Sequence, residues 1–323
     1  MMTEPIDPKN LSLAERLDQV PMDQKEKLEQ SWKVVESDIV SKEKYPEGVT
    51  ISKVECKDSE EAQKTSEELY EFLSKVFKDP EVADPMQIQI GMENGFIDNF
   101  VARDEKGKIV SYMQSQTIET QSASGTPELS MVVWYLQTDN KSKVANPMVT
   151  KSVASECFAN LLKKSQEELK PIKAMFTEAE PEVERIFNLY PGMKRVYGTT
   201  ADGKLMEAPY LCPPEDESTE GVPAHFMIKM LNGESSISKD DYMALAKSIH
   251  DQYTREQYFT PEAFAYAEEL DPKDVDPDAV KAYWENYKGI TKNIQTQMES
   301  ALESVEGDLT FLSAKERKNI EKK

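Results

Sequence analysis

Apolar positions recur in this chain with two spacings, a strand-like alternation in its middle and helical spacing towards both ends. Leu11 to Val20 and Gln24 to Val40 have weak helical spacing on either side of Pro21, predicting two short helices packed on, or tethered to, the main body, with Trp32 as a packing anchor. Val49 to Val54 predicts a first strand. Ser59 to Phe77 predicts a helix, capped by Ser59 and striped by Leu69, Phe72, Leu73 and Phe77; Asp84 to Gly95 follows as a short helix or loop. Asn99 to Arg103 and Ile109 to Thr117 predict a hairpin whose turn uses Gly107 for a positive φ. Glu128 to Thr138, β-branched and aromatic, predicts a buried strand. After the polar loop Asp139 to Asn146, a helix starts with Asn146 as cap and Pro147 in its first turn, and Val149, Val153, Cys157, Leu161 and Leu162 carry it forward. Strands follow at Ile172 to Thr177, Lys194 to Gly198, Leu205 to Pro209 and His225 to Leu231, with a short helix at Glu182 to Leu189. From Ser235 only helices are expected, at Ser238 to Tyr253, Pro261 to Leu270, Asp278 to Met298 and Ser313 to Lys322. The division is a helical segment over 1–47, an α/β domain over 48–234 and a helical extension over 235–323.

Composition narrows the function. The 323 residues carry a formal net charge of −21, which argues against a nucleic-acid or anionic-membrane binder, since neutralising phosphates needs concentrated Lys and Arg. Three widely spaced cysteines and no Cys-x-x-Cys pair speak against a disulfide framework or zinc site and suit a reducing compartment. His225 and His250 are the only histidines, which leaves few candidates for His-based catalysis; His225 reads as a core residue. No apolar run has signal-peptide or transmembrane character, so a cytoplasmic protein is expected. Asp271 to Asp278 places carboxylates at alternate positions, but Ala279 stands where a calcium loop needs glycine, so helix capping is expected there. The stripe Tyr242, Leu245, Ile249 and Tyr253 is core, or else a face for a partner or second subunit.

The strand, tight loop and helix start over Glu128 to Val149 gather backbone N–H groups at the positive end of a helix, a geometry suited to a phosphate. Three stretches also resemble the GNAT acetyltransferase superfamily. Phe100-Val-Ala-Arg-Asp-Glu-Lys-Gly-Lys-Ile-Val-Ser-Tyr112 is similar to its second and third strands, Leu129 to Leu162 to its acetyl-CoA motif, and Glu180 to Gly198 to its Leu-Tyr segment. The resemblance covers about residues 48 to 231 and implies a mixed, mostly antiparallel central sheet flanked by helices, here with helical additions at both ends. It implies acetyl-CoA as co-substrate and an amine acceptor. The pyrophosphate would lie at Lys141, Lys143, Val144, Ala145 and Asn146, and the backbone of Leu136, Gln137 and Thr138 would polarise the thioester carbonyl. Tyr190 would protonate the leaving thiolate, or simply pack at a helix end; Glu128, with Glu119, is a candidate base by position.

Two departures bear on activity. Val144 and Asn146 stand where the family has small residues, and Phe187-Asn188 occupies its Leu-Tyr spacing. Lys141 and Lys143 are either phosphate-attracting charges or ordinary loop residues. The expected function is therefore an N-acetyltransferase, with an inactive GNAT-like module acting through protein contacts of the helical additions as the alternative.

Overall fold

The structure is a computed structural model and describes residues 11–76, 84–121, 125–144, 146–179, 192–214 and 220–320. The N-terminal helices are α1 (Leu13–Leu17) and α2 (Met22–Asp38). They lead to β1 (Val49–Lys53), α3 (Ser59–Val76), α4 (Pro85–Glu93) and the strands β2 (Asp98–Asp104), β3 (Ile109–Gln121) and β4 (Pro127–Thr138). Next come α5 (Pro147–Glu168), β5 (Ile172–Ala179), β6 (Lys194–Thr200), β7 (Leu205–Glu207), β8 (Leu211–Cys212), β9 (Val222–Pro223), β10 (His225–Met230) and β11 (Ser236–Ile237). The chain closes with α6 (Lys239–Tyr253), α7 (Pro261–Ala267), α8 (Pro277–Leu302), β12 (Val305–Leu312) and α9 (Ala314–Ile320).

Among the described residues the main sheet runs β1-β2-β3-β4-β5-β10-β6-β12-β11, with β7 added to β6. Its pairings are antiparallel except β4 with β5, which α5 joins as a crossover. This is the mixed, mostly antiparallel sheet flanked by helices expected from the sequence.

Alternation along the strands sends one set of apolar side chains to each face. On the first face α2 and α5 cover Phe100, Met113, Met131 and Val133. The N-terminal helix is packed, not tethered: Leu28, Trp32 and Val35 are core, Trp32 Nε1 donates to Ser165 Oγ at 2.7 Å, and Ser31 Oγ accepts from Ile172 N at 3.1 Å. On the opposite face α3 and α4 cover Val101, Ile109 and Tyr112, while α6 and α8 cover Val132, Phe176, Phe226 and Ile228. Tyr242, Leu245 and Ile249 are therefore buried inside this chain, which excludes them as a face for a partner.

The C-terminal part corrects the expectation of an all-helical extension. Val305–Leu312 is a strand, paired antiparallel to β6 and in turn to β11. Its signal was a short alternation, Val305, Gly307, Leu309, Phe311, behind a long charged helix. The contact has a measurable consequence. A Cβ on Gly198 of β6 would lie 2.1 Å from Val305 Cγ1 and 3.0 Å from Leu309 Cδ2. Gly198→Ala should cost roughly 1–3 kcal/mol of stability, as overpacking does. Urea unfolding should show the loss, and Val305→Ala in the same chain should recover part of it. An unchanged midpoint would mean that β12 does not pack there. The Asp271–Asp278 carboxylates act as expected for caps: Asp271 Oδ1 accepts from Lys273 N and Asp276 Oδ1 from Asp278 N, both at 3.0 Å.

Candidate active site

The two halves of the sheet part company at β4 and β5. Their parallel ladder ends at Val132 with Phe176, yet β4 stays with β3 to Thr138 and β5 stays with β10 to Ala179. Thr177 Oγ1 donates to the Val133 carbonyl at 2.7 Å and closes the neck. Beyond it, among the described residues, no ladder joins β4 to β5. The result is a wedge between the two strands.

β4 is also bulged there. Gln114 pairs with Tyr135 and Ser115 with Val133, so Trp134 is the extra residue. The shift puts Trp134 and Tyr135, neighbours in sequence, on the same face: Trp134 packs against the α6 and α8 cluster and Tyr135 against the α3 and α4 cluster. Tyr253, from the last turn of α6, meets Trp134 edge-on with centroids 5.4 Å apart.

Glu178, near the end of β5, is half-buried on this face. Its carboxylate accepts from Tyr210 Oη at 2.8 Å, from Cys212 Sγ at 3.0 Å and from the Tyr253 hydroxyl. Burial and the neighbouring Glu178 hold the Tyr210 phenol well above its usual range, so it stays a donor. Behind Tyr210 lies His250, whose Nε2 donates to the Leu211 carbonyl at 3.0 Å. Burial pushes its pKa down to about 4, so it is neutral at pH 7.

The loop after β4 is already furnished with oxygen atoms. Asp139 Oδ1 accepts from Lys141 N, and the Asp139 carbonyl from Ser142 N, both at 2.9 Å. Burial raises the Asp139 pKa, but the Lys141 N–H and the Lys108 ammonium outweigh it and hold the carboxyl below the usual range. At the helix start Asn146 Oδ1 accepts from Met148 N at 2.8 Å and Val149 N at 3.2 Å. Two N–H groups that would face a phosphate are thus occupied by the chain's own cap. Val144 turns inward and packs on the core, whereas Lys141 and Lys143 are exposed. Beside the loop a hollow of about 740 Å³ is lined by three acids, Glu68, Glu71 and Asp139, and three lysines, Lys75, Lys108 and Lys141. Its charges balance, so it does not concentrate positive potential.

The sequence-derived site residues divide accordingly. Leu136, Gln137 and Thr138 lie on β4 beside the wedge, although the Leu136 side chain points to the core and Thr138 Oγ1 is bonded to Ser111 Oγ and Thr150 Oγ1. Tyr190 and Ala145 lie outside the described residues. Glu128 sits at the opposite end of β4, roughly 30 Å from Thr138 at the usual strand rise, and pairs with Lys173; Glu119 pairs with Lys170. Position along the strand thus separates both acids from the wedge. Glu178 and its phenol partners were not singled out from sequence. His225 is not core: it is partly exposed and its Nδ1 is 2.7 Å from Glu207 Oε1. Among the described residues no group of three metal-ligating side chains occurs, and no helix is long and apolar enough to cross a membrane.

No family model matches the chain, and no curated protein matches it. Solved structures do. An Arabidopsis thaliana NAA60 in complex with acetyl-CoA is 11% identical, over 57% of this chain and 99% of that one, with a TM-score of 0.39. An acetyltransferase from Streptococcus agalactiae is 16% identical over 57% and 99%, with a TM-score of 0.36. An aminoglycoside acetyltransferase from an uncultured soil metagenomic sample is 17% identical over 44% and 85%, with a TM-score of 0.33.

Proposed function

We propose that this chain is an acyl-CoA-dependent N-acyltransferase, with acetyl-CoA as acyl donor and an amine as acceptor. The observation that carries the reading is the bulged edge of β4 facing Glu178 across the wedge. A thioester lying along that edge would present its carbonyl to backbone N–H groups over Leu136 to Thr138, which would stabilise developing negative charge. The amine nitrogen would attack the carbonyl carbon, the C–S bond would break, and coenzyme A would leave. Glu178 would take the ammonium proton, and Tyr190 would return one to the sulfur. Lys141, Lys143 and the helix start would face the diphosphate.

One observation favours a second reading, a fold kept for protein contacts without coenzyme A. It is the self-capped loop, where Asn146 Oδ1 and the Asp139 carboxylate take N–H groups a diphosphate would need. Calorimetry of the full chain with acetyl-CoA separates the two. Transfer requires binding, expected with Kd on the order of 10 μM, weakened about tenfold by Lys141→Glu with Lys143→Glu. Asn146→Gly frees two donors at a cost of a few tenths of a kcal/mol and should tighten binding. No heat at millimolar acetyl-CoA would overturn the transferase reading and leave the second.

A further inference from the structure

The space between β4 and β5 is closed at its neck and covered on both faces there. The hydrogen bond from Thr177 Oγ1 to the Val133 carbonyl, 2.7 Å long, is the end wall. On one face Tyr253 bridges the two strands. Its ring meets Trp134 of β4 edge-on, with centroids 5.4 Å apart, and its hydroxyl donates to Glu178 of β5. On the other face Val133 and Ala179 belong to the core cluster under α5 and are 0% and 4% exposed. Trp134 and Tyr253 pack on the α6 and α8 cluster, yet each keeps part of its surface exposed, so the core does not use up both rings.

The direction of an acyl chain follows from the two ends of the wedge, and this step rests on the acyl-transfer reading. A diphosphate at the loop after Thr138 and a thioester along β4 make the acyl group the last part of the donor, pointing to the neck. At the usual strand rise Trp134 stands roughly 7 Å from Leu136 along β4. A carbon contact of about 4 Å leaves space for about two carbons beyond a carbonyl held at Leu136. A longer chain meets the Thr177 bond ahead of it and the Trp134 and Tyr253 rings above it. Large rings with few rotatable bonds suit such a wall, because they move aside less readily than an aliphatic side chain.

We propose that Trp134, braced by Tyr253, sets the length of the acyl chain, so that the donor class is acetyl- or propionyl-CoA and not a medium-chain acyl-CoA. Calorimetry of the full chain with acetyl-, propionyl- and hexanoyl-CoA reads this limit directly. Propionyl-CoA should bind within about threefold of acetyl-CoA, and hexanoyl-CoA at least about tenfold more weakly. Trp134→Ala should erase that difference, since a chain entering the space of the indole gains about fourfold per methylene buried. Trp134→Leu, which keeps more apolar bulk, should erase part of it. The ratio of two affinities within one variant cancels a general loss of folding or binding, so a merely structural role for Trp134 would leave it unmoved. Equal binding of acetyl- and hexanoyl-CoA by the unaltered chain, or a ratio unchanged in both variants, would overturn the limit and leave the transfer reading standing. No binding of any acyl-CoA would overturn the transfer reading and the limit with it.

Discussion

Replacing Lys173 by methionine should destabilise the fold by roughly 3–5 kcal/mol, the usual cost of leaving buried charge uncompensated. Lys173 is 3% exposed, between Asp241 Oδ1 at 2.5 Å and Glu128 Oε2 at 3.5 Å. It joins the start of α6 to the N-terminal ends of β4 and β5. Asp241 keeps some solvent, which favours the lower end of the range. Burial raises the Glu128 pKa, with Lys173 working against that rise. A raised folded-state value means that ionising Glu128 opposes folding. That penalty is absent below the unfolded carboxylate value near ~4.3 and grows as pH rises through the folded one. Without Lys173 it is larger, so the gap between the variant and the unaltered chain should be widest near neutral pH and narrow on acidification. Urea titrations at several pH values measure this. Lys173→Met with Glu128→Leu should recover part of the loss, because it removes the more buried of the two carboxylates and leaves only the partly solvated Asp241 without its cation. A single variant as stable as the unaltered chain would show that the triad is not a buried charge network.

Glu178→Gln should lower the turnover of amine acetylation by roughly 10²–10⁴-fold, the range for removing a positioned proton acceptor. Glutamine keeps the shape, its single amide oxygen can accept from Tyr210 and Cys212, and the Tyr253 hydroxyl can turn to accept from its N–H, but it takes no proton. Acetyl-CoA affinity should stay within about twofold, because the loss falls on the chemical step and not on binding. Turnover kept within about threefold would remove Glu178 from the reaction. A matching fall in acetyl-CoA affinity would instead identify it as part of the binding wall.

The two sites differ in how far they were legible. Each side of the wedge is a run of apolar residues, and such a run hides the register shift at Trp134, because nothing in Val132-Val-Trp-Tyr135 marks which residue is extra. Glu178 is one acid at a strand end. Its partners Tyr210, Cys212 and Tyr253 follow it by 32, 34 and 75 residues, so only the return of the chain through β8 and α6 assembles them. Glu128 was attractive because it begins the central strand, but a strand separates its two ends by its full length.

The sequence by itself determined the elements from β1 to α5, apart from α4, which it left as a short helix or loop, and the resemblance it carries implied the class of the sheet. Periodicity, Asn146 and Pro147 at the helix start, and Gly107 in the hairpin are local rules that need no distant partner. It also marked Val144 and Asn146 as unlike a phosphate loop. Only the tertiary structure decided what those two residues do: Val144 turns into the core and Asn146 satisfies the helix start itself. It likewise made β12 a strand, through a β6 edge that Gly198 leaves flat enough to receive Val305. Strand pairing, burial and charge pairing are long-range, and their outcome depends on which distant residues the folded chain brings within a few ångströms.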